Sequence, residues 1–117
     1  GNIDIVREVI HKVCDDYAPV SFYKGWFQET FKWEYPRKIE QIAMLNLDSD
    51  WYESEKLCWE TWYDKVPKRG FVYVDDYYYW PGCKKAADEF LATRAPWFGQ
   101  EVGHSLGLQK IQVQVIY

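Results

Sequence analysis

Apolar and polar positions along this chain follow the period of a helix in some segments and of a strand in others. Over residues 4–17 the apolar side chains recur every three or four positions, which predicts an amphipathic helix. Residues 20–24 are rich in β-branched and aromatic side chains and predict a short strand. Residues 26–38 fit a short helix or an aromatic loop that ends at Pro36.

The middle of the chain predicts a strand followed by a helix. Residues 39–47 lead into a nearly continuous apolar run, which is typical of a strand buried on both faces in a parallel sheet. Asp50 and Glu53 form a D-x-x-E variant of the capping box, so Asp50 is predicted to cap the helix that follows. Aromatic residues line one face of this helix, and its pattern stops at Pro67.

The C-terminal part repeats the succession of strand and helix. Residues 71–74 predict a second buried strand, and residues 84–93 predict a helix after the turn at Pro81. Residues 111–117 alternate strictly between apolar and polar, which predicts a half-exposed strand with antiparallel pairing. This order of elements indicates an α/β fold whose middle strands are parallel and joined by right-handed crossovers.

Acidic residues stand at the ends of the two buried strands. Asp48 and Asp50 follow the first strand, and Asp75 and Asp76 follow the second. Because the ends of neighbouring parallel strands lie side by side, we expect these carboxylates to gather at one edge of the sheet. Such a cluster can hold a hard cation or orient a substrate hydroxyl. From the residues alone, the Asp75–Asp76 pair fits a solvated turn equally well.

Composition narrows the range of partners. The chain has 117 residues, enough for one domain, and a net charge of −4 without a basic stripe, which argues against nucleic acid as a partner. No apolar run approaches the length of about 20 residues that a membrane span needs. The three cysteines are widely spaced and form no zinc or disulfide pattern, so we expect reduced thiols in a cytoplasmic protein.

Aromatic residues are unusually frequent, at 20% of the chain, with seven Trp and ten Tyr. Tyr hydroxyls and Trp N–H groups need hydrogen-bond partners or water, so we expect aromatic edges at a cleft or at an interface with another chain. Residues 77–80, Tyr-Tyr-Tyr-Trp, fit a substrate pocket, an exposed loop or a dimer contact. His11 and His104 have no partner at a spacing typical of metal or nucleophilic chemistry.

Four motifs in a fixed order resemble the macrocin O-methyltransferase family, whose members are class I S-adenosylmethionine (SAM) enzymes acting on sugar hydroxyls of natural products. Together the motifs cover most of residues 2–95, and the ordered series is more specific than any one of them. They are KGWFQET at 24–30, LDSDWYES at 47–54, PKRGFVYVDDY at 67–77 and PGCKKAADEF at 81–90.

The resemblance implies roles for individual residues. It makes Asp48, Asp75 and Asp76 the candidate Mg²⁺ ligands, and a cation there would lower the pKa of a bound substrate hydroxyl. Asp48 is also the candidate base that accepts the hydroxyl proton. Gly25 and Trp26 match the loop on the adenine side of the SAM site. The implied activity is Mg²⁺-assisted O-methylation of a small-molecule or sugar hydroxyl.

The chain departs from the family in one respect: it contains no glycine-rich SAM-binding motif. The resemblance therefore implies a single truncated domain over residues 1–117, equivalent to strands 3 to 7 of the family. Its implied fold is a partial Rossmann-like class I methyltransferase fold, a three-layer α/β/α arrangement with a mostly parallel sheet and an antiparallel C-terminal strand. We expect the 117 residues to be inactive in isolation.

Loss of the first two strands would leave the strand ending at Leu47 with an open apolar edge. Three alternatives account for that edge. Residues 20–24 pair beside it, two copies of the chain pair or swap elements across it, or the chain is a fragment of a longer enzyme. We expect a homo-oligomer, such as a dimer, in the first two cases. A non-catalytic relative that acts as an oligomerisation or binding module is the alternative function.

Overall fold

The computed structural model describes residues 2–14, 20–94 and 97–110. Five helices, one 3-10 turn and four strands lie in these ranges, and the strands form one sheet in the order β1-β2-β4-β3. The fold is α/β, as predicted. In chain order the elements are α1 (Ile3–Val13), α2 (Phe27–Thr30), α3 (Glu34–Arg37), β1 (Met44–Leu47), α4 (Tyr52–Trp62), the 3-10 turn (Tyr63–Lys65), β2 (Phe71–Val74), α5 (Pro81–Leu91), β3 (Trp97–Val102) and β4 (Ser105–Lys110).

The parallel pair β1 and β2 forms the centre of the fold, and α4 is the crossover between them. Their register places Leu45 opposite Val72 and Leu47 opposite Val74. These four side chains are buried, while the neighbours that alternate with them are more exposed. Because successive side chains of a strand point to opposite faces, the buried set defines the face that the helices cover.

Helices α4 and α5 pack against each other on that face of the sheet. The aromatic face predicted for α4 is confirmed, since Trp59, Trp62, Tyr63 and Val66 are all buried in the core. Burying an aromatic side chain of this size contributes about 2–3 kcal/mol relative to leaving it exposed. Helix α5 begins at Pro81, three residues before the predicted start, because a proline fits the first turn of a helix.

Two predictions for the N-terminal segment are changed by the structure. The strand predicted for residues 20–24 is wrong: the segment has no strand pairing, and Tyr23 instead packs edge-on against Trp33. Strand propensity reflects packing on a sheet face, and residues 20–24 pair with none of the four described strands. The ambiguous residues 26–38 form two single-turn helices, α2 and α3.

A hairpin that the sequence pattern did not predict completes the sheet. Strands β3 and β4 pair antiparallel around a tight turn at Gly103 and His104, and β4 pairs antiparallel with β2. Gly103 adopts the left-handed region with a φ of 61°, which a glycine accepts without steric cost. The C-terminal strand predicted over residues 111–117 lies outside the described residues.

The sheet is covered on one face only within the described part of the chain. On the other face Met44, Phe71 and Phe98 are 63%, 52% and 62% exposed. The described residues therefore form two of the three layers expected. The sheet was expected to be mostly parallel, but only one of the three strand pairings among the described residues is parallel. The unpredicted hairpin accounts for this difference. Helix α1 lies outside the core, and none of its residues is buried.

Candidate active site

The ends of β1 and β2 bring two acidic groups together, as predicted. Asp48 follows β1, Asp75 and Asp76 follow β2, and the backbone N–H of Asp75 donates to the carbonyl of Leu47 at 2.8 Å. The parallel register that pairs Leu47 with Val74 makes these two chain ends neighbours. The candidate catalytic and metal-binding carboxylates therefore lie together at the ends of two neighbouring strands. We call Asp48, Asp50, Asp75 and Asp76 the acidic edge.

Asp48 experiences the charge of the other carboxylates at this edge. Partial burial raises the pKa of Asp48, and repulsion by Asp75, Asp50 and Asp76 raises it further, in that order. Burial and like charges both disfavour the ionised carboxylate, so the two causes raise the pKa of Asp48 in the same direction. A cation at this edge would relieve the repulsion, and a bound hydroxyl would find a proton acceptor.

Asp75 is held by the hairpin that the sequence analysis missed. The buried hydroxyl of Ser105 donates to Asp75 Oδ1 at 2.7 Å, and the Ser105 hydroxyl oxygen accepts the backbone N–H of Asp76 at 3.3 Å. Ser105 starts β4, so β4 fixes the side chain that follows β2. A serine beside a glycine-flanked turn carries no sequence signal for this role.

Asp76 has an unusual backbone conformation that links the acidic edge to α5. Its φ of 49° lies in the left-handed region, which Asp tolerates better than most residues. Its carbonyl accepts the N–H groups of Tyr79 and Trp80, at 2.9 and 3.0 Å. The Asp75–Asp76 pair therefore forms a structured turn before α5.

The donor set suits a hard cation, but the ligands are not gathered into a closed cage. In the ranges that the structure describes, no group of three or more His, Cys, Asp or Glu side chains is close enough to hold a metal ion. Mg²⁺ is usually bound through one or two carboxylates, with waters and substrate oxygens as its other ligands. The acidic edge therefore offers the carboxylate oxygens that Mg²⁺ takes, but the described residues do not already gather three such ligands around one point.

Asp50 does not cap α4, so that prediction is wrong. The N-cap of α4 is Trp51, and no side chain donates or accepts a capping hydrogen bond there. The helix starts one residue later than the D-x-x-E pattern indicates, which leaves the Asp50 side chain exposed beside Asp48. Asp50 is therefore part of the acidic edge.

Gly25 and Trp26 lie in the same cleft as the acidic edge. This cleft has a volume of ≈ 790 Å³, and its walls include Gly25, Trp26, Asp48 and Trp51. A Cβ added to Gly25 would lie 2.8 Å from the Cγ2 of buried Thr30, so the position favours glycine. Trp26 is 74% exposed and presents its ring at the cleft. The two residues suggested for the cofactor thus face the suggested catalytic carboxylate.

The structure adds one acidic residue that the sequence analysis overlooked. Glu55, on α4, is 0% exposed and accepts a hydrogen bond from the Ser49 hydroxyl. Burial raises the pKa of Glu55 to about 7, and the polar side-chain groups of Ser49, Trp59 and Cys83 oppose that rise only partly. A signal existed in the sequence, because Glu55 shares a helical face with Cys58, Trp59 and Trp62 at spacings of three, four and seven residues.

Other reactive groups near the site are unsuited to catalysis. Burial raises the pKa of the Cys58 and Cys83 thiols to about 12, so neither supplies a thiolate near neutral pH. In the Tyr-Tyr-Tyr-Trp segment, Tyr77 is buried and its hydroxyl donates to Asp88. The following three aromatic side chains are exposed, and the ring of Tyr79 packs against His104.

Comparisons with known proteins give the family. The model of the macrocin O-methyltransferase (TylF) family matches residues 3–96, so the chain belongs to this family. It is 42% identical over 76 residues to demethyldecarbamoylnovobiocin O-methyltransferase of Streptomyces niveus. Its fold is similar to the solved structure of the O-methyltransferase NovP, with a TM-score of 0.82 and 30% identity.

These matches cover much of this chain but a smaller part of each relative. The alignment with the Streptomyces niveus enzyme spans 62% of this chain and 27% of that protein. The structural match spans 93% of this chain and 45% of the NovP chain. In the ranges with described structure, every helix is too short or too polar to cross a membrane.

Proposed function

We propose that this chain carries the acceptor side of a SAM-dependent, Mg²⁺-assisted O-methyltransferase site that acts on a small-molecule or sugar hydroxyl. The observation that carries the proposal is the acidic edge: Asp48, whose pKa is raised, lies in the cleft that Gly25 and Trp26 line, and Asp75 and Asp76 follow the neighbouring strand. The names of the two relatives describe O-methyl transfer, which agrees with this chemistry.

In the proposed reaction the chain orients and deprotonates the acceptor hydroxyl. Asp48, Asp75 and Asp76 are the residues that would hold Mg²⁺, which lowers the pKa of a bound hydroxyl when present. Asp48 would accept the hydroxyl proton, because it lines the cleft and because burial and the neighbouring carboxylates raise its pKa. Ser105 would keep Asp75 oriented, since its hydroxyl donates to Oδ1 at 2.7 Å.

SAM supplies the methyl group in such a reaction. Gly25 and Trp26 are our candidates for its adenine side, because an exposed indole beside a glycine offers a stacking surface and close backbone approach. A glycine-rich motif for the rest of the cofactor does not occur in the 117 residues. We therefore propose that these residues need further chain for activity, and that the protein works in the reducing cytoplasm.

Calorimetric titration with Mg²⁺ and then with SAM tests the proposal. We expect the chain to bind Mg²⁺ and Asp75→Asn to bind it more weakly, while SAM binds only to a longer natural protein that contains the chain. Glu101→Gln, at an exposed carboxylate on β3, is the matched control and should behave as the wild type. If Asp75→Asn binds Mg²⁺ as tightly as the wild type does, the proposed role of Asp75 as a Mg²⁺ ligand is refuted. Absence of SAM binding by both the chain and the longer protein would refute the proposed methyltransferase activity.

A second function, a non-catalytic oligomerisation or binding module, is favoured by the exposed apolar surface. Strand β1 lies at one edge of the described sheet, and Met44, Phe71 and Phe98 form an uncovered apolar patch on its open face. Exposed patches of this kind are typical of interfaces. Light scattering after size-exclusion chromatography tests it: we expect a homo-oligomer that Phe71→Lys dissociates. A monomer at micromolar concentrations would exclude this function.

A further inference from the structure

Ser49 lies between the acidic edge and the core. Within the segment after β1, Leu47 is buried, Asp48 is exposed, Ser49 is half-buried and Asp50 is exposed. Successive side chains of an extended segment point to opposite sides, so an inward Ser49 places both aspartates outward, toward the cleft. The direction of the Asp48 carboxylate therefore depends on what holds Ser49.

The group that holds Ser49 is the carboxylate of Glu55. Its Oε2 accepts the Ser49 hydroxyl, and its Oε1 has no hydrogen-bond partner among the described residues. The Glu55 residue is 0% exposed. One hydrogen bond thus links the first turn of α4 to the segment that carries Asp48.

Packing alone does not account for a glutamate at this position. A buried carboxyl with one unpartnered oxygen is disfavoured relative to an apolar side chain of similar volume. The other members of this helical face are Cys58, Trp59 and Trp62, and each is buried without requiring a charge. The hydrogen bond to Ser49 is the contribution that an apolar side chain would not make.

We propose that Glu55 and Ser49 are positioning residues that form a buried anchor and fix the Asp48 carboxylate toward the cleft. The proposal rests on the proposed function, in which Asp48 is a Mg²⁺ ligand and base. Loss of the anchor lets the segment rotate, so that Asp48 no longer faces Asp75 across the adjoining strand ends. The effect reaches the cation through Asp48, because Glu55 is fully buried and the hydroxyl of Ser49, a residue of the cleft wall, donates to Glu55.

Calorimetric titration with Mg²⁺ alone, on the whole chain, tests the anchor. Ser49→Ala removes the hydroxyl, Ser49→Thr keeps it, and Glu55→Gln keeps an acceptor oxygen. Groups that orient metal ligands typically contribute about tenfold to a hundredfold in affinity, so we expect a loss of at least about tenfold in Ser49→Ala. Ser49→Thr and Glu55→Gln should bind as the wild type does. Equal affinity of Ser49→Ala and the wild type would overturn the proposal.

A second measurement needs no metal and separates positioning from general stability. In Ser49→Ala we expect the NMR order parameters of residues 48–51 to fall from the rigid value of about 0.85 toward about 0.6, with β1 and α4 unchanged. Unchanged values at 48–51, or an equal fall throughout the chain, would refute the anchor. If Ser49→Ala does not fold, Glu55→Met removes the acceptor with little change in volume and should loosen the same residues.

The two measurements distinguish failure of the anchor from failure of the proposed function. If the wild-type chain binds no Mg²⁺, the metal role fails, and the order parameters still decide whether Glu55 and Ser49 hold the segment. If Asp48→Asn abolishes Mg²⁺ binding while Ser49→Ala does not change it, the metal role stands and the anchor is refuted.

Discussion

Glu55 makes the stability of this protein depend on pH in a direction opposite to that of most carboxylates. Its pKa is raised by burial from the ordinary 4.5 to about 7 in the folded chain. The folded state therefore binds more protons than the unfolded state between these two values. By linkage, this group's contribution is fully present below pH 4.5 and is lost as the pH rises through about 7.

The magnitude follows from the width of that interval. From 4.5 to about 7, at about 1.4 kcal/mol for each pH unit, the free energy of unfolding loses about 3 kcal/mol through Glu55. Glu55→Gln keeps the shape and an acceptor for Ser49 but cannot ionise. We therefore expect the stability difference between Glu55→Gln and the wild type to move in favour of the variant by about 3 kcal/mol between pH 4 and pH 8.

Urea unfolding followed by tryptophan fluorescence measures this difference, with EDTA present to remove metal. The variant Glu101→Gln, which removes an exposed carboxylate from β3, is the matched control for the loss of one carboxylate. Comparing variants cancels the titration of the other carboxylates. A Glu55→Gln difference that stays constant within about 1 kcal/mol, the usual error of such extrapolations for a domain of this stability, would refute a neutral buried Glu55.

Three further outcomes follow from the packing around the site. Ser105→Ala removes a buried hydroxyl with two hydrogen bonds and should lower the free energy of unfolding by about 1–3 kcal/mol in urea titration. Trp59→Ala empties a fully buried position and should lower the free energy of unfolding by about 3–5 kcal/mol in the same titration. The near-ultraviolet circular dichroism of the folded variant should be weaker. Cys14 should react with a thiol reagent in the native state, whereas Cys58 and Cys83 should react only after unfolding.

The acidic edge was predictable because it depends on local patterns. A buried apolar run, a helix and a second apolar run indicate a parallel pair of strands, and that topology places Asp48 beside Asp75 and Asp76 without knowledge of any other contact. The aromatic face of α4 follows from the helical period alone, and its residues are buried as the period indicates.

The hairpin was not predictable from the same patterns. In residues 97–110, Gly99, Gly103 and Gly107 interrupt the alternation of apolar and polar side chains, so no strand period appears. Gly99 is compatible with a strand because a neighbour occupies the space of its missing side chain: a Cβ there would lie 2.5 Å from a ring carbon of Trp97. Residues 20–24 present the opposite case, since their composition favours a strand and no sheet neighbour is available.

The same contrast applies to the residues that support the acidic edge. Asp48 and Asp75 are visible in the sequence because each ends an apolar run, whereas Ser105 and Glu55 act across separations of 30 and 6 residues. In the sequence, Glu55 stands out only as a charged residue on an apolar helical face. Such a residue normally indicates that the helix has been assigned wrongly. Here it indicates a buried carboxyl with a hydrogen-bond donor on the preceding loop. In this chain the carboxyl lies three, four and seven residues before buried Cys58, Trp59 and Trp62, and its hydrogen-bond donor, Ser49, adjoins the candidate base.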